Sequence, residues 1–214
     1  MTYLFIIGDS IAYGAWDFEK GGWVQRLREF LDQKVKKDNN EFFITYNLGI
    51  DGHTTRDWVS ILKSELETRM CIARKYKEPA IVLLALGAND SLFVVDENKN
   101  NVSQKEFKEN MKTILTISKV FTNQVLCVGI PPCKDKKAVN YDDKNLVFNN
   151  ENIAKYNTML RSFTKENNIP FIDIFDAVQK KKNFISFDRV HLSPEGHEII
   201  FRLVKECLMK KKLV

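Results

Sequence analysis

Seven consecutive apolar residues, Ala80-Ile81-Val82-Leu83-Leu84-Ala85-Leu86, follow Pro79 and stop at Gly87-Ala88-Asn89-Asp90. A strand with one face in water alternates apolar and polar residues, so an unbroken run of this length reads as a central strand covered on both faces. Such a strand belongs to a parallel sheet with helices on either side, and the rest of the chain has to supply those neighbours.

The rest of the chain fits that demand. Residues 3–14, Tyr-Leu-Phe-Ile-Ile-Gly-Asp-Ser-Ile-Ala-Tyr-Gly, run an apolar strand into a small polar turn. Phe42–Leu48, Val125–Ile130 (stopped by Pro131-Pro132) and Pro170–Ile174 read as three more strands. Between them lie helical spacings over about 22–36, 54–74, 103–121, 151–167 and 194–210. Thr54 or Thr55 caps the second of these, Ser103 with Glu106 makes a capping box, and Ser193 followed by Pro194 opens the last. Asp38-Asn39-Asn40 supplies a turn before the second strand.

Five alternations of strand and helix predict a three-layer αβα architecture around a parallel five-stranded sheet. The flavodoxin-like order 2-1-3-4-5 is the first choice, and it gathers Ser10, Gly52 and Asn89 at one sheet edge. With 214 residues, 24.9 kDa and 44% hydrophobic residues, the expectation is a single domain over 1–214. Two long polar stretches, 91–102 and 133–150, leave the sheet on that same side. They carry Leu92, Phe93, Val94 and Val95, then Tyr141, Leu146, Val147 and Phe148, among many charges. Loops this long are often functional, and loops this polar are expected to bury only a short apolar groove.

Charge does not point to a nucleic-acid partner. Thirty-three Lys+Arg against 28 Asp+Glu give +5, but the excess is scattered over short runs such as Lys34–Lys37, Lys180–Lys182 and Lys210–Lys212. Nucleic-acid binding needs such residues gathered on one face beside aromatic platforms. The four cysteines form no CxxC pair and read as reduced, mostly buried thiols, with Cys127 and Cys133 flanking a loop. No segment approaches ~18 apolar residues, and the N-terminal apolar run is short and lacks a basic flank. The expectation is a cytoplasmic protein with no stable membrane insertion; oligomeric state is open.

Ser10 at a strand end is open to two readings: a helix cap, or a nucleophile. Three other stretches bear on the choice: Gly49-x-x-Gly52, Gly87-x-Asn89-Asp90 and Asp188-x-x-His191. Together with Gly8-Asp9-Ser10, and in this order over residues 5–197, they resemble the SGNH hydrolases, also called the GDSL esterase/lipase family. The resemblance implies Ser10 as nucleophile, His191 as its base and Asp188 as the carboxylate that orients the imidazole. It also implies an oxyanion hole from the Ser10 N–H, the Gly52 N–H and the Asn89 side chain. Gly49 competes with Gly52 for that place. Asp9 and Asp90 read as turn-pinning residues, His53 as a substrate contact, and His197 as a structural or surface residue.

The activity so implied is hydrolysis of small carboxylic esters through an acyl-enzyme, without cofactor or metal. The polar loops favour short acyl or acetyl groups, on a sugar or another polar alcohol. The alternative within the family is a lysophospholipase or thioesterase with a longer acyl groove. An alternative of another class is a non-catalytic flavodoxin-like nucleotide or flavin module. Against it, Gly8 to Gly14 lacks the Lys-Ser/Thr of a P-loop, and no G-x-G-x-x-G follows a strand.

Overall fold

A computed structural model describes residues 1–38, 40–134, 137–141 and 144–214. Asn39, within the turn expected at Asp38–Asn40, lies outside them, as do parts of the 133–150 stretch. The main sheet is built from β1 (Thr2–Gly8), β2 (Phe43–Gly49), β3 (Ala80–Ala85), β6 (Gln124–Val128) and β9 (Phe171–Ile172). All its pairs are parallel and the spatial order is β2-β1-β3-β6-β9. That is the expected 2-1-3-4-5 order, counting only the strands of this sheet.

Alternation along each strand explains the layers. Tyr3, Phe5 and Ile7 face a core closed by α3 (Thr55–Arg69), α5 (Gln104–Phe121) and α6 (Asn150–Glu166), through Trp58, Phe107 and Tyr156 among others. Leu4 and Ile6 face the opposite core, closed by α2 (Gly22–Lys37), α7 (Phe175–Gln179) and α8 (Pro194–Lys210), through Trp23, Val178 and Ile200. In β3, Val82 and Leu84 join the first core and Ile81 and Leu83 the second, as a strand buried on both faces must. Thr54 and Asp57 form a reciprocal capping box, and Ser103 and Ser193 accept the N–H groups of Glu106 and Gly196, but the Glu106 side chain accepts from Arg56 rather than closing the box expected at Ser103.

Three differences from the sequence reading stand out. The helix expected over 54–74 breaks at Met70 into α3 and α4 (Cys71–Tyr76), and a four-residue helix, α1 (Ser10–Tyr13), begins at Ser10 itself. Cys71 is exposed, whereas Cys127 and Cys133 are buried as expected. Most consequential, the two long stretches are not independent loops. β4 (Phe93–Val94), β5 (Lys99–Asn100), β7 (Lys137–Tyr141) and β8 (Lys144–Phe148) form a second, antiparallel sheet of order β5-β4-β8-β7. The two stretches meet where Phe93 pairs with Val147 and Val94 with Leu146. Leu92, Val94, Leu146 and Phe148 are buried, Val95 is about half exposed, and the side chain of Tyr141 lies outside the described residues. Among the described residues no helix is long and apolar enough to cross a membrane.

Candidate active site

β1 delivers the chain to the site. Asp9 caps α1, its Oδ1 accepting the Ile11 N–H at 2.9 Å, so Ser10 sits in the first turn directly beyond the strand end. Ser10 thus occupies the first turn, while the capping belongs to Asp9. Gly49, at the end of β2, presses against this turn: a Cβ there would stand 2.2 Å from the Tyr13 nitrogen and 2.7 Å from the Asp9 oxygen. Its N–H is donated to Asn47 Oδ1 at 3.0 Å, while Asn47 Nδ2 donates to the Ala12 carbonyl at 2.9 Å. Gly49 is therefore committed to bracing the Ser10 turn.

The loop before α8 brings the partners of Ser10 from the far end of the sequence. The backbone N–H groups of Val190 and His191 both donate to Asp188 Oδ1 at 3.0 Å, folding the loop around the carboxylate. His191 Nδ1 lies 2.5 Å from Asp188 Oδ2, and His191 Nε2 lies 2.8 Å from Ser10 Oγ. Burial pushes the Asp188 carboxyl up, but the hydrogen bond from His191 and the two backbone N–H groups outweigh it and hold it below the usual range. An ionised carboxylate at Nδ1 keeps the proton on that nitrogen and leaves Nε2 bare toward the Ser10 hydroxyl.

The third side is the turn after β3. Asn89 is buried, and its Nδ2 donates to the His53 carbonyl at 3.0 Å, which leaves one N–H of the amide for another acceptor. Gly52 lies in the adjoining turn with φ +71°, and among the described residues its N–H has no partner. The His53 ring packs edge-on against Trp58, 6.0 Å between centroids, and is not part of the pocket at Ser10. What His53 lends to the site is its carbonyl.

Asp90 accepts the Thr55 N–H at 3.1 Å and the Thr55 hydroxyl at 2.5 Å, fastening this turn to the start of α3. Burial pushes the Asp90 carboxyl up to about 7 and that of Asp9 up to about 6. His197 is fully buried, not a surface residue, and neither ring nitrogen makes a well-formed hydrogen bond; the Ala15 carbonyl is the nearest help. Burial drives its pKa down to about 4, so the ring is neutral around pH 7.

A small pocket opens beside Ser10, Asn89 and His191. Its walls are apolar: Ile11, Pro131, Cys133, Phe148, Ile153 and Val190. Cys133 and Phe148 belong to the second long stretch, so the antiparallel sheet supplies part of the wall. Among the described residues no three His, Cys, Asp or Glu side chains stand close enough together to hold a metal ion.

Sequence reasoning missed the surroundings of His191. Trp16, Phe18 and Phe187 form an exposed aromatic group, and Trp16 meets the His191 ring edge-on at 6.1 Å. The signal was present in Gly14-Ala15-Trp16-Asp17-Phe18, two large aromatics in a short glycine-bounded loop next to Ser10.

The family model for GDSL-like lipase/acylhydrolase matches residues 4–204. Among curated relatives, the chain is 24% identical over 216 residues to the human isoamyl acetate-hydrolyzing esterase 1 homolog, covering 97% of this chain and 82% of that protein. It is 27% identical over 218 residues to the rice GDSL esterase/lipase WDL1, covering 95% and 78%. Among solved structures it is similar to a lipase/acylhydrolase from Enterococcus faecalis (TM-score 0.71, 21% identity, 99% and 97% of the two chains). It is also similar to an acetylxylan esterase from Geobacillus stearothermophilus (TM-score 0.70, 20% identity, 96% and 92%). These structures share the fold, and with the family match over most of its length the chain belongs to the GDSL-like lipase/acylhydrolase family and is a carboxylic ester hydrolase.

Proposed function

We propose that the protein hydrolyses esters of short carboxylic acids through an acyl-enzyme on Ser10. The observation that carries this reading is the continuous relay from Asp188 Oδ2 through His191 to Ser10 Oγ, at 2.5 and 2.8 Å, at the mouth of a small apolar pocket. The hydroxyl attacks the ester carbonyl carbon as His191 Nε2 takes its proton, and the carbonyl oxygen becomes an oxyanion. The Ser10 N–H, the Gly52 N–H and the free N–H of Asn89 stabilise that charge. Between the two glycines, Gly52 is the donor, because the Gly49 N–H is already given to Asn47. Collapse breaks the bond to the alcohol oxygen, which leaves with the proton returned by His191. Water then repeats the sequence on the acyl-enzyme: His191 takes its proton, its oxygen bonds the acyl carbon, and Ser10 departs with the proton back.

The small pocket walled by Phe148, Cys133 and Ile153 suits a short acyl group such as acetyl, and acetyl esters are named for the human relative and the bacterial esterase. A panel from acetyl to long-chain esters on wild type and Ser10→Ala, with a fluorophosphonate probe, tests both parts. Activity confined to short acyl groups and labelling lost in Ser10→Ala is the expected result. Labelling that survives at the same stoichiometry overturns the nucleophile. Activity that climbs beyond about eight carbons, at ~0.8 kcal/mol per buried methylene, overturns the short acyl pocket.

A further inference from the structure

We propose that Trp16, Phe18 and Phe187 are a second subsite of this esterase, an apolar aromatic platform that holds the alcohol half of the ester. The inference rests on the reading of Ser10 and His191 given above. His191 Nε2 returns its proton to the departing alcohol oxygen, so the alcohol has to lie beside the His191 ring. Trp16 stands edge-on to that ring, with Phe187 5.8 Å and Phe18 6.2 Å from Trp16. None of the three lines the apolar pocket, which leaves them as a separate apolar zone on the leaving-group side.

The group is displayed by construction. Trp16, Phe18 and Phe187 are 43%, 78% and 73% exposed, while Asp17, between the first two, is 5% exposed. Asp17 Oδ1 accepts the N–H groups of Glu19 and Lys20 at 3.2 Å, and Oδ2 accepts that of Gly22 at 2.9 Å and pairs with the Arg26 guanidinium. Burial pushes this carboxyl up, but Arg26 and the backbone donors hold it below the usual range. Arg26 also donates to the Pro194 carbonyl at 3.2 Å and to Glu198 at 3.1 Å, tying the Trp16–Phe18 loop to the segment that follows His191. At the neck of the loop, a Cβ on Gly14 would stand 2.1 Å from the Gly21 oxygen.

Trp16 itself has φ +65°, a left-handed conformation that a bulky residue adopts only under constraint and that clusters at ligand clamps. The chain thus accepts backbone strain and buries a carboxylate in order to hold exposed aromatic faces next to the base. Aromatic faces carry partial negative charge and attract C–H edges, so the matching ligand is an alcohol with a broad hydrocarbon ring face, or the C–H face of a sugar ring. The two sources share this chemistry and are separated by experiment.

For wild type, Phe18→Ala and Phe187→Ala, kcat/KM is measured for 2-phenylethyl acetate, an acetylated methyl xyloside, ethyl acetate and ethyl hexanoate. Both phenylalanines are exposed, so their truncation leaves the core intact. The expected result is that one ring-bearing acetate is preferred over ethyl acetate in wild type, and that each variant lowers this preference about tenfold, mainly through KM. Which ring ester loses more identifies the alcohol. Preferences unmoved in both variants overturn the proposal; a fall in the hexanoate-to-acetate ratio instead overturns it by putting the acyl chain on the platform.

A second readout does not need turnover. Trp16 is the exposed tryptophan, whereas Trp23 and Trp58 are buried, so in Ser10→Ala the product alcohol is expected to shift the Trp16 fluorescence, and Phe187→Ala to abolish the shift. No shift with either 2-phenylethanol or methyl xyloside, up to their solubility, overturns the platform. Because this signal requires no catalysis, it stands or falls separately from the assignment of Ser10 as nucleophile.

Discussion

The two sheets of this molecule meet around one site but are made by opposite means. The parallel sheet consists of apolar runs buried on both faces, with Leu4, Phe5, Ile6 and Ile7 wholly inaccessible, and its strand ends carry Ser10, Gly52 and Asn89. The antiparallel sheet has two strands of only two residues each and mixes buried Val94, Leu146 and Phe148 with exposed and charged neighbours. Position matters to within fractions of an ångström for proton transfer and oxyanion binding, and Ser10, Gly52 and Asn89, proposed for that work, hang from the rigid layer, to which the loop before α8 brings His191. Phe148, one part of the wall proposed to bound the acyl group, comes from the layer with fewer contacts to hold it. The parallel sheet should therefore govern rate and the antiparallel sheet selectivity.

The sharpest break of that division is at Ser10 and His191. Ser10→Ala and His191→Ala are each expected to lower kcat by about 10⁴ or more, with the double variant no worse than either alone, because the two act as one unit. Thermal melting should be little changed; a large loss of melting temperature in either variant would mean that the parallel layer needs these side chains for folding.

Next in size is Asn89→Ala, expected to lower kcat by ~10²–10³ with KM nearly constant, since its free N–H is assigned to the oxyanion. A change confined to KM would move Asn89 from rate to binding and blur the comparison. Gly52 offers no equally clean test, because its φ of +71° makes any side chain strained there.

The helix packed behind the parallel layer, α8, has a signature in pH. His197 has its pKa pushed from about 6.5 down to about 4, so the unfolded chain binds a proton there that the folded one does not. Stability from this group is full above pH 6.5 and is lost as pH falls toward 4, by about 3 kcal/mol at ~1.4 kcal/mol per pKa unit. Asp9 and Asp90 act in the opposite sense. Their carboxyls are held up to about 6 and about 7, so the folded state binds the extra proton and their contribution fades as pH rises through those values. The difference between wild type and His197→Phe, followed by urea unfolding from pH 7 to 4.5, isolates the histidine. A difference that is flat across this range would show that His197 is not buried as a neutral ring.

The smallest expected effect belongs to the antiparallel sheet. Phe148 is 9% exposed and lines the pocket. Phe148→Ala is expected to raise kcat/KM for hexanoate relative to acetate about tenfold and to leave acetate turnover within a few-fold. A loss of acetate turnover as large as that of Asn89→Ala would mean that the wall positions the reacting groups as well as bounding them.

What could be read from the sequence follows the same line. A strand buried on both faces announces itself in consecutive residues, as Ala80–Leu86 does, and a helix in its period, as Trp58, Leu62 and Leu66 do. The order of the parallel strands and the gathering of Ser10, Gly52 and Asn89 were legible because each lies at the end of such a run. The antiparallel sheet was not, because its decisive pair, Phe93 with Val147, joins residues 54 apart through strands too short to show any period. Similarly, nothing local to Arg26 says that its guanidinium will reach Asp17, Pro194 and Glu198. Trp16 and Phe18 left a signal in their short glycine-bounded loop, but nothing local says that Phe187, 169 residues beyond Phe18, will join them.

The contact between Ser10 and His191 closes a loop of 181 residues. Contacts of such sequence separation form late, since the chain must surrender loop entropy before they reward it. Here the closure depends on α8 lying against α2, where Arg26 of one helix grips Pro194 and Glu198 of the other. The sheet can therefore be complete, and Trp58 shielded in the core on the face away from α8, in a chain whose serine still has no base. Recovery of hydrolysis during refolding is thus a clock for the docking of the last helix, and it is expected to run behind a signal that reports only the core around Trp58.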